Sequence, residues 1–155
     1  MNDFLAWCQT SPISLFIKGS KWPYPAVEIL HITGLVLVFG SILVLNLRIF
    51  GRILREQPVS VVAAGLAPIT LFGVIAQFLT GPVLFMATAA RFWGNGPFRL
   101  KLVLLAVALT YHFGVHRSLA LRAEKSYPAL KASAAVSMLL WIAVVLSGMS
   151  IELLS

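Results

Sequence analysis

Residues 61–90 form a stretch of thirty positions without one charged side chain, although Pro68 and Pro82 interrupt it. A helix rising about 1.5 Å per residue needs about 20 such residues to cross the hydrocarbon core of a bilayer. This stretch is therefore long enough to span a membrane with some tilt. Three others share its character: 26–47, the segment between Lys101 and Arg117, and 132–151. The first carries Glu28, His31 and Asn46, the third is short unless its bounding cations snorkel outward, and the last is again free of charge. A bilayer offers no water to satisfy an exposed backbone, so each span must be helical. The expected fold is an all-α membrane protein of one domain over residues 1–155. It is a four-transmembrane-helix bundle with spans at about 24–50, 60–90, 98–121 and 128–153, preceded by an interfacial amphipathic segment over 1–22.

Composition agrees with that reading and narrows the function classes. Of 155 residues, 59% are hydrophobic and 11% charged, against about 25% charged in a soluble domain, which needs polar groups to cover its surface. A soluble globule is excluded. Cys8 is the only cysteine, which excludes a disulfide scaffold, a thiolate zinc site, a cysteine-ligated iron–sulfur cluster and the attachment motif of a c-type haem. The net charge of +7 comes from Lys and Arg clusters flanking the apolar runs, as juxtamembrane cations do. No nucleic-acid reading module accompanies them, so the bilayer and not nucleic acid is the expected partner.

The first twenty residues do not read as a signal peptide, because Asp3 precedes the apolar stretch and no basic leader or small-residue cleavage site is present. Phe4, Leu5, Trp7, Ile13, Leu15, Phe16 and Ile17, broken by Ser11-Pro12, suit a surface segment. The run Lys21-Trp22-Pro23-Tyr24-Pro25 suits an interfacial anchor that turns the chain into the first span. Seven basic residues (Arg48, Arg52, Arg55, Arg117, Arg122, Lys125, Lys131) fall on one side of the membrane and five (Lys18, Lys21, Arg91, Arg99, Lys101) on the other. The positive-inside bias then places both termini outside, periplasmic in a bacterial inner membrane.

An ionisable residue inside a span costs about 2.5–3.5 kcal/mol on insertion scales, so each one marks a functional hypothesis. Here they are Glu28, His31, His112 and His116, with Asn46 and Gln77 as neutral companions, and all three histidines of the chain belong to the first or third span. His112 and His116 share one helical face, and Lys101 lies eleven residues before His112, about 16 Å along the axis. Imidazoles on two facing helices of a four-helix bundle are a usual mount for a b-type haem. His31 and His112 are the expected axial ligands of one haem b, with His116 the alternative ligand. Gly34 and Gly114 would let a flat macrocycle approach, and Lys21, Arg91, Arg99 and Lys101 would receive its propionates. The competing readings are plainer. Membrane histidines also serve as helix–helix hydrogen-bonding residues, His116 beside Arg117 suits the interface, and Trp22, Trp93, Phe98 and Trp141 suit an aromatic belt.

The run FRLKLVLLAVALTYHFGVHR, residues 98–117, resembles the third-helix signature of the HemJ-type protoporphyrinogen oxidases, in which a lysine precedes a Tyr-His pair at the same offset as Lys101 and His112. The first span, YPAVEILHITG followed by Leu47-Arg48-Ile49-Phe50, resembles that family's first helix. The resemblance covers about two-thirds of the chain. It implies haem ligation by His31, and it implies that Arg48 and Lys101 are functional basic residues pairing with substrate propionates. The chain departs from the pattern in its added surface segment, in lacking a tryptophan just before Lys101, and in adding His116. Thr80-Gly81-Pro82 with Leu84-Phe85 also resembles small four-helix membrane families, including the membrane domain of copper-resistance-type proteins. The leading expectation is a small membrane cytochrome passing electrons between a periplasmic partner and the quinone pool, in the form of a monomer or homodimer. A HemJ-like oxidase and a cofactor-free accessory subunit of a transport or metal-resistance system are the alternatives.

Overall fold

The computed structural model describes residues 2–153, and every regular element among them is helical. In chain order these are α1 (Asn2–Thr10), α2 (Pro12–Lys18), α3 (Pro23–Ile49), α4 (Val59–Trp93), α5 (Gly96–Tyr111), a π-helical turn (His112–His116), α6 (Arg117–Leu121) and α7 (Pro128–Leu153). Four segments are long and apolar enough to cross a bilayer: Pro23–Ile49, Val59–Trp93, Gly96–Leu121 and Pro128–Ile151. The third is α5, the π turn and α6 taken together. The protein is thus an all-α, four-helix membrane protein, as its apolar runs imply.

Local chemistry marks the helix starts. Proline opens α2, α3 and α7, where its missing N–H is one of the donors a helix leaves unpaired anyway. Ser11 caps α2 by accepting from Ser14 N at 3.2 Å, and Asn95 caps α5 by accepting from Phe98 N at 3.1 Å. Within α4 the helix breaks locally at Thr88 (φ −128°, ψ 22°). The carbonyls near the break are recovered by hydroxyls: Thr88 Oγ1 donates to Leu84 O at 2.8 Å, and Ser14 Oγ donates to Met86 O at 3.3 Å. That last bond fixes where the amphipathic amino-terminal segment sits. The amino-terminal segment is two short helices docked on the end of α4, with Cys8, Ser14 and Ile17 turned inward, and Phe4, Trp7 and Phe16 facing outward.

The spans pair unequally. α3 packs along α4 and α5 packs along α7, while α3 and α7 join the two pairs and α4 barely touches α5. Val38, Ile42, Ala108, Trp141 and Val144 form a central apolar cluster. A second cluster, including Leu45, Ile49, Val62, Ala120 and Leu130, fills the end that carries the α3–α4 and α6–α7 loops. Those loops are tied together there, since Val59 N and Ser60 N donate to Glu124 O and Ala123 O at 3.3 and 2.9 Å. Phe72, Phe78, Leu79, Val103, Leu139 and Leu146 face outward, as a lipid-facing surface requires.

The α3–α4 seam depends on two glycines. A Cβ on Gly73 would lie 2.7 Å from Gly34 O and 2.8 Å from a Val38 methyl, and one on Gly34 would lie 3.0 Å from Ala76 Cβ. Gly34 is therefore occupied by a close helix crossing of the small-residue kind and does not border a macrocycle. Gly114 stands on the outer face with nothing near its absent Cβ, so it does not border one either. Gly73→Ala should destabilise the protein by about 1–3 kcal/mol through overpacking. Gly65→Ala, which meets open space, should not. Thermal unfolding in detergent micelles separates the two, and equal melting temperatures would refute the seam.

Candidate functional site

The four spans carry two polar centres at different depths. The first is built on α3 and α4, and its hydrogen bonds define the state of His31. Thr80 Oγ1 gives its proton to Ala76 O at 2.6 Å, so its oxygen can only accept from His31 Nδ1, 2.7 Å away. His31 therefore carries its proton on Nδ1 and presents Nε2 as a bare lone pair. The Gln77 amide donates to His31 O, and a Cβ on Gly81 would meet the ring edge at 3.5 Å. Lys101 on α5 is close enough to act on His31 electrostatically, and its methylene stem lies against Gly148 of α7, where a Cβ would come 3.7 Å from Cε. Among the described side chains no carboxylate pairs with this ammonium.

The second centre lies deeper. Tyr111 Oη donates to Ser133 Oγ at 3.0 Å, and His116 Nδ1 shares that same oxygen at 3.0 Å. His112 and His116 have ring centroids 5.8 Å apart. His116 does not face outward but is 0% exposed. The π turn carries both histidines inward, while Phe113, Gly114 and Val115 between them face outward. Several polar atoms at this depth are buried without a protein partner: both amide atoms of Asn46, His112 Nδ1, His116 Nε2, Ser137 Oγ and Trp141 Nε1. Such a concentration of unsatisfied groups is unusual, because buried polar atoms are normally paired with protein or held by water or a ligand.

These positions correct the expected pairing of His31 with His112. His31 is level with Gln77 and Thr80 on α4, whereas His112 shares a crevice with Ser41 and Thr70, whose hydroxyls are 2.7 Å apart. Ten residues separate His31 from Ser41 and ten separate Thr70 from Thr80, so the two imidazoles differ in depth by about 15 Å. An iron with nitrogen ligands about 2 Å away cannot bridge that distance. His116 lies one turn further on and is no better placed. Sequence positions counted from span ends understate the offset, because His31 starts nearer its end of the bundle than the π turn allows His112 to be.

The basic residues divide as well. Arg48 is 7% exposed and its Nε donates to Gln57 O at 2.7 Å, pinning the α3–α4 loop at the end opposite Lys101. A joint role for Arg48 and Lys101 on one substrate is thereby corrected, since α3 alone puts about 25 Å between Arg48 and the level of His31. Lys21, Arg91 and Arg99 are exposed at the Lys101 end, with Arg99 Nε donating to Trp93 O at 3.0 Å and Arg91 lying 5.7 Å from the Phe92 ring centre. Glu28 is exposed on α3. The residues missed in the sequence are hydroxyls: Thr80 fixes the His31 tautomer, and Ser133 joins Tyr111 to His116. Ser133, Ser137 and Trp141, spaced by four along α7, were the available signal for a polar face.

Because Tyr111 and His116 share one serine oxygen, the three side chains act as a unit. Tyr111→Phe and Ser133→Ala should each cost about 1 kcal/mol of stability, and the double variant should cost less than the sum. A double-mutant cycle read by thermal unfolding checks this, and strict additivity would show that the network is not formed.

No curated protein and no solved structure matches the chain. A family model does match, over residues 4–153, which takes in both polar centres and all four spans. By that match the chain belongs to a family of unknown function, DUF6644.

Proposed function

We propose that this protein is a small b-type membrane cytochrome that binds one haem at the His31–Lys101 centre, with His31 as the protein's axial ligand. The observation that carries this reading is the hydrogen bond from His31 Nδ1 to Thr80. A metal-binding imidazole usually donates its other N–H to an acceptor, which fixes the tautomer and the ring orientation. His31 is set in that way, with Nε2 bare. Lys101 adds a cation beside it for a propionate, in a half-buried position. The weak contact between α4 and α5 leaves the α3–α4 and α5–α7 pairs apart on that side. Haem iron would supply one-electron chemistry at a potential tuned by axial ligation and burial. The chain's own part is to orient the imidazole, neutralise the propionate charge and exclude water.

His112, expected as a second ligand, has no place in this arrangement. The loop charges support an orientation with both termini outside, which in a bacterial inner membrane would turn the His31 centre toward the periplasmic half and a redox partner on that side.

The visible spectrum of the purified full-length protein, oxidised and dithionite-reduced, tests the reading. Expression with ample haem precursor should give about one haem b per chain with a sharp reduced α-band. His31→Ala should abolish it and His112→Ala should retain it. Thr80→Val, which removes the acceptor for Nδ1–H, should weaken haem retention by about 10- to 100-fold. A colourless wild-type protein, or full haem in His31→Ala, would overturn the assignment.

A further inference from the structure

A groove of about 690 Å³ opens between α2 and the first turns of α3. Helical spacing builds it. Ile13, Phe16 and Ile17 share one face of α2, and Trp22, Ala26 and Val27 share one face at the start of α3. Ile17 is 3% exposed and lies deepest, whereas Phe16 and Trp22 are 72% and 81% exposed, so the rim is aromatic and open to the surroundings. No side chain that lines the groove carries a charge. Its volume falls within the range of about 300–1,000 Å³ usual for small-molecule sites.

Charge enters only where the two helices join. The link Lys18-Gly19-Ser20-Lys21 closes the groove at one end, and both of its lysines are exposed. Neither pairs with a carboxylate among the described side chains. Glu28 is exposed on α3, but it lies about 9 Å further along the helix than Trp22. The slot is thus cationic at its loop end and hydrocarbon along its length.

That polarity selects an amphiphile with an anionic head and an apolar tail. A tryptophan at the start of a span sits at the level of the lipid headgroups, which brings the two lysines level with the phosphates. From there α3 descends beside the acyl chains, and past Val27 the exposed Leu30 continues the apolar path. A partner's helix suits the groove less well. It would be about 10–12 Å across with its side chains, and α2 offers only seven residues, about 10 Å, to pack along. We infer that this groove holds an acyl chain of an anionic phospholipid from the surrounding bilayer, with its phosphate on Lys18 and Lys21. Such a lipid fastens α2, already bonded to α4 through Ser14, to the start of α3 as well.

Trp22 is the reporter for the test. The full-length protein is placed in phosphatidylcholine nanodiscs that contain a minor fraction of a lipid with brominated chains, either phosphatidylglycerol or phosphatidylcholine. Bromine quenches an indole that it touches, and the share due to Trp22 is the difference from the same protein carrying Trp22→Phe. Brominated phosphatidylglycerol should quench Trp22 more than brominated phosphatidylcholine at equal mole fraction. A lysine near an anionic surface is worth about fivefold in binding, so Lys18→Gln combined with Lys21→Gln should remove the preference. Ala26→Phe, which fills the groove from an exposed position, should remove it too, whereas Leu139→Ala on the lipid-facing side of α7 should keep it. The ratio between the two lipids is what is read. A bound haem that dims the indole acts on both alike, so failure of the haem reading leaves this test intact. Equal quenching by the two lipids would overturn the site. Absence of quenching by either, as a second copy of the chain covering the groove would cause, would overturn it as well. A preference that survives Ala26→Phe would belong to surface charge alone and overturn the groove, and one that survives loss of both lysines would overturn the phosphate assignment.

Discussion

The close crossing of α3 and α4 at Gly34 and Gly73 is the constraint on which the rest of the bundle depends. Within lipid there is no hydrophobic force to press two apolar helices together, so packing distance and shared hydrogen bonds must do it. The two glycines let the backbones approach until a Cβ on one would strike the carbonyl of the other. At that separation the polar side chains on either side of the crossing come within bonding distance. His31 meets Thr80, and Gln77 meets the His31 carbonyl, on one side; Ser41 meets Thr70 on the other. Each of these bonds removes a group that would otherwise be unsatisfied in hydrocarbon.

The other helix pair is organised differently. α5 lies along α7, and the third span changes to a π turn where α7 presents Ser133 and Ser137. A π turn admits one extra residue per turn and is found disproportionately at functional sites. Here its effect is to place His112 and His116 inward while the three residues between them face out. The interior of this half therefore holds a polar layer between two apolar clusters, and in it His112 Nδ1, His116 Nε2 and Ser137 Oγ are unpaired.

Two centres at two depths give the molecule a polarity along the membrane normal. One combines a preset imidazole with an ammonium that no carboxylate among the described side chains pairs with. The other combines a buried imidazole, His112, whose Nδ1 has no protein partner, with the half-buried guanidinium of Arg117. Both lack carboxylates among the described side chains, so both suit ligands that bring oxygen atoms or negative charge of their own. A bilayer makes this asymmetry costly to maintain without ligands, which is why positions of this kind are functional hypotheses and not merely surface chemistry.

Much of the architecture was legible in the sequence for a single reason. A charge-free run such as 61–90 has only one way to satisfy its backbone in lipid, so length and composition alone determined four helices and their approximate ends. The same reasoning picked out His31, His112, His116 and Lys101 as the rare ionisable groups inside the spans. It did not determine which of them meet. Depth depends on where each helix begins, and facing depends on which helices pack closely. Both were decided by Gly34 and Gly73 drawing α3 onto α4, and by the π turn adjusting the third span. Residue spacing within one helix is a local property that sequence carries. The distance between side chains on different helices is set by packing, and so only the tertiary structure separated His31 from His112 and joined it to Thr80.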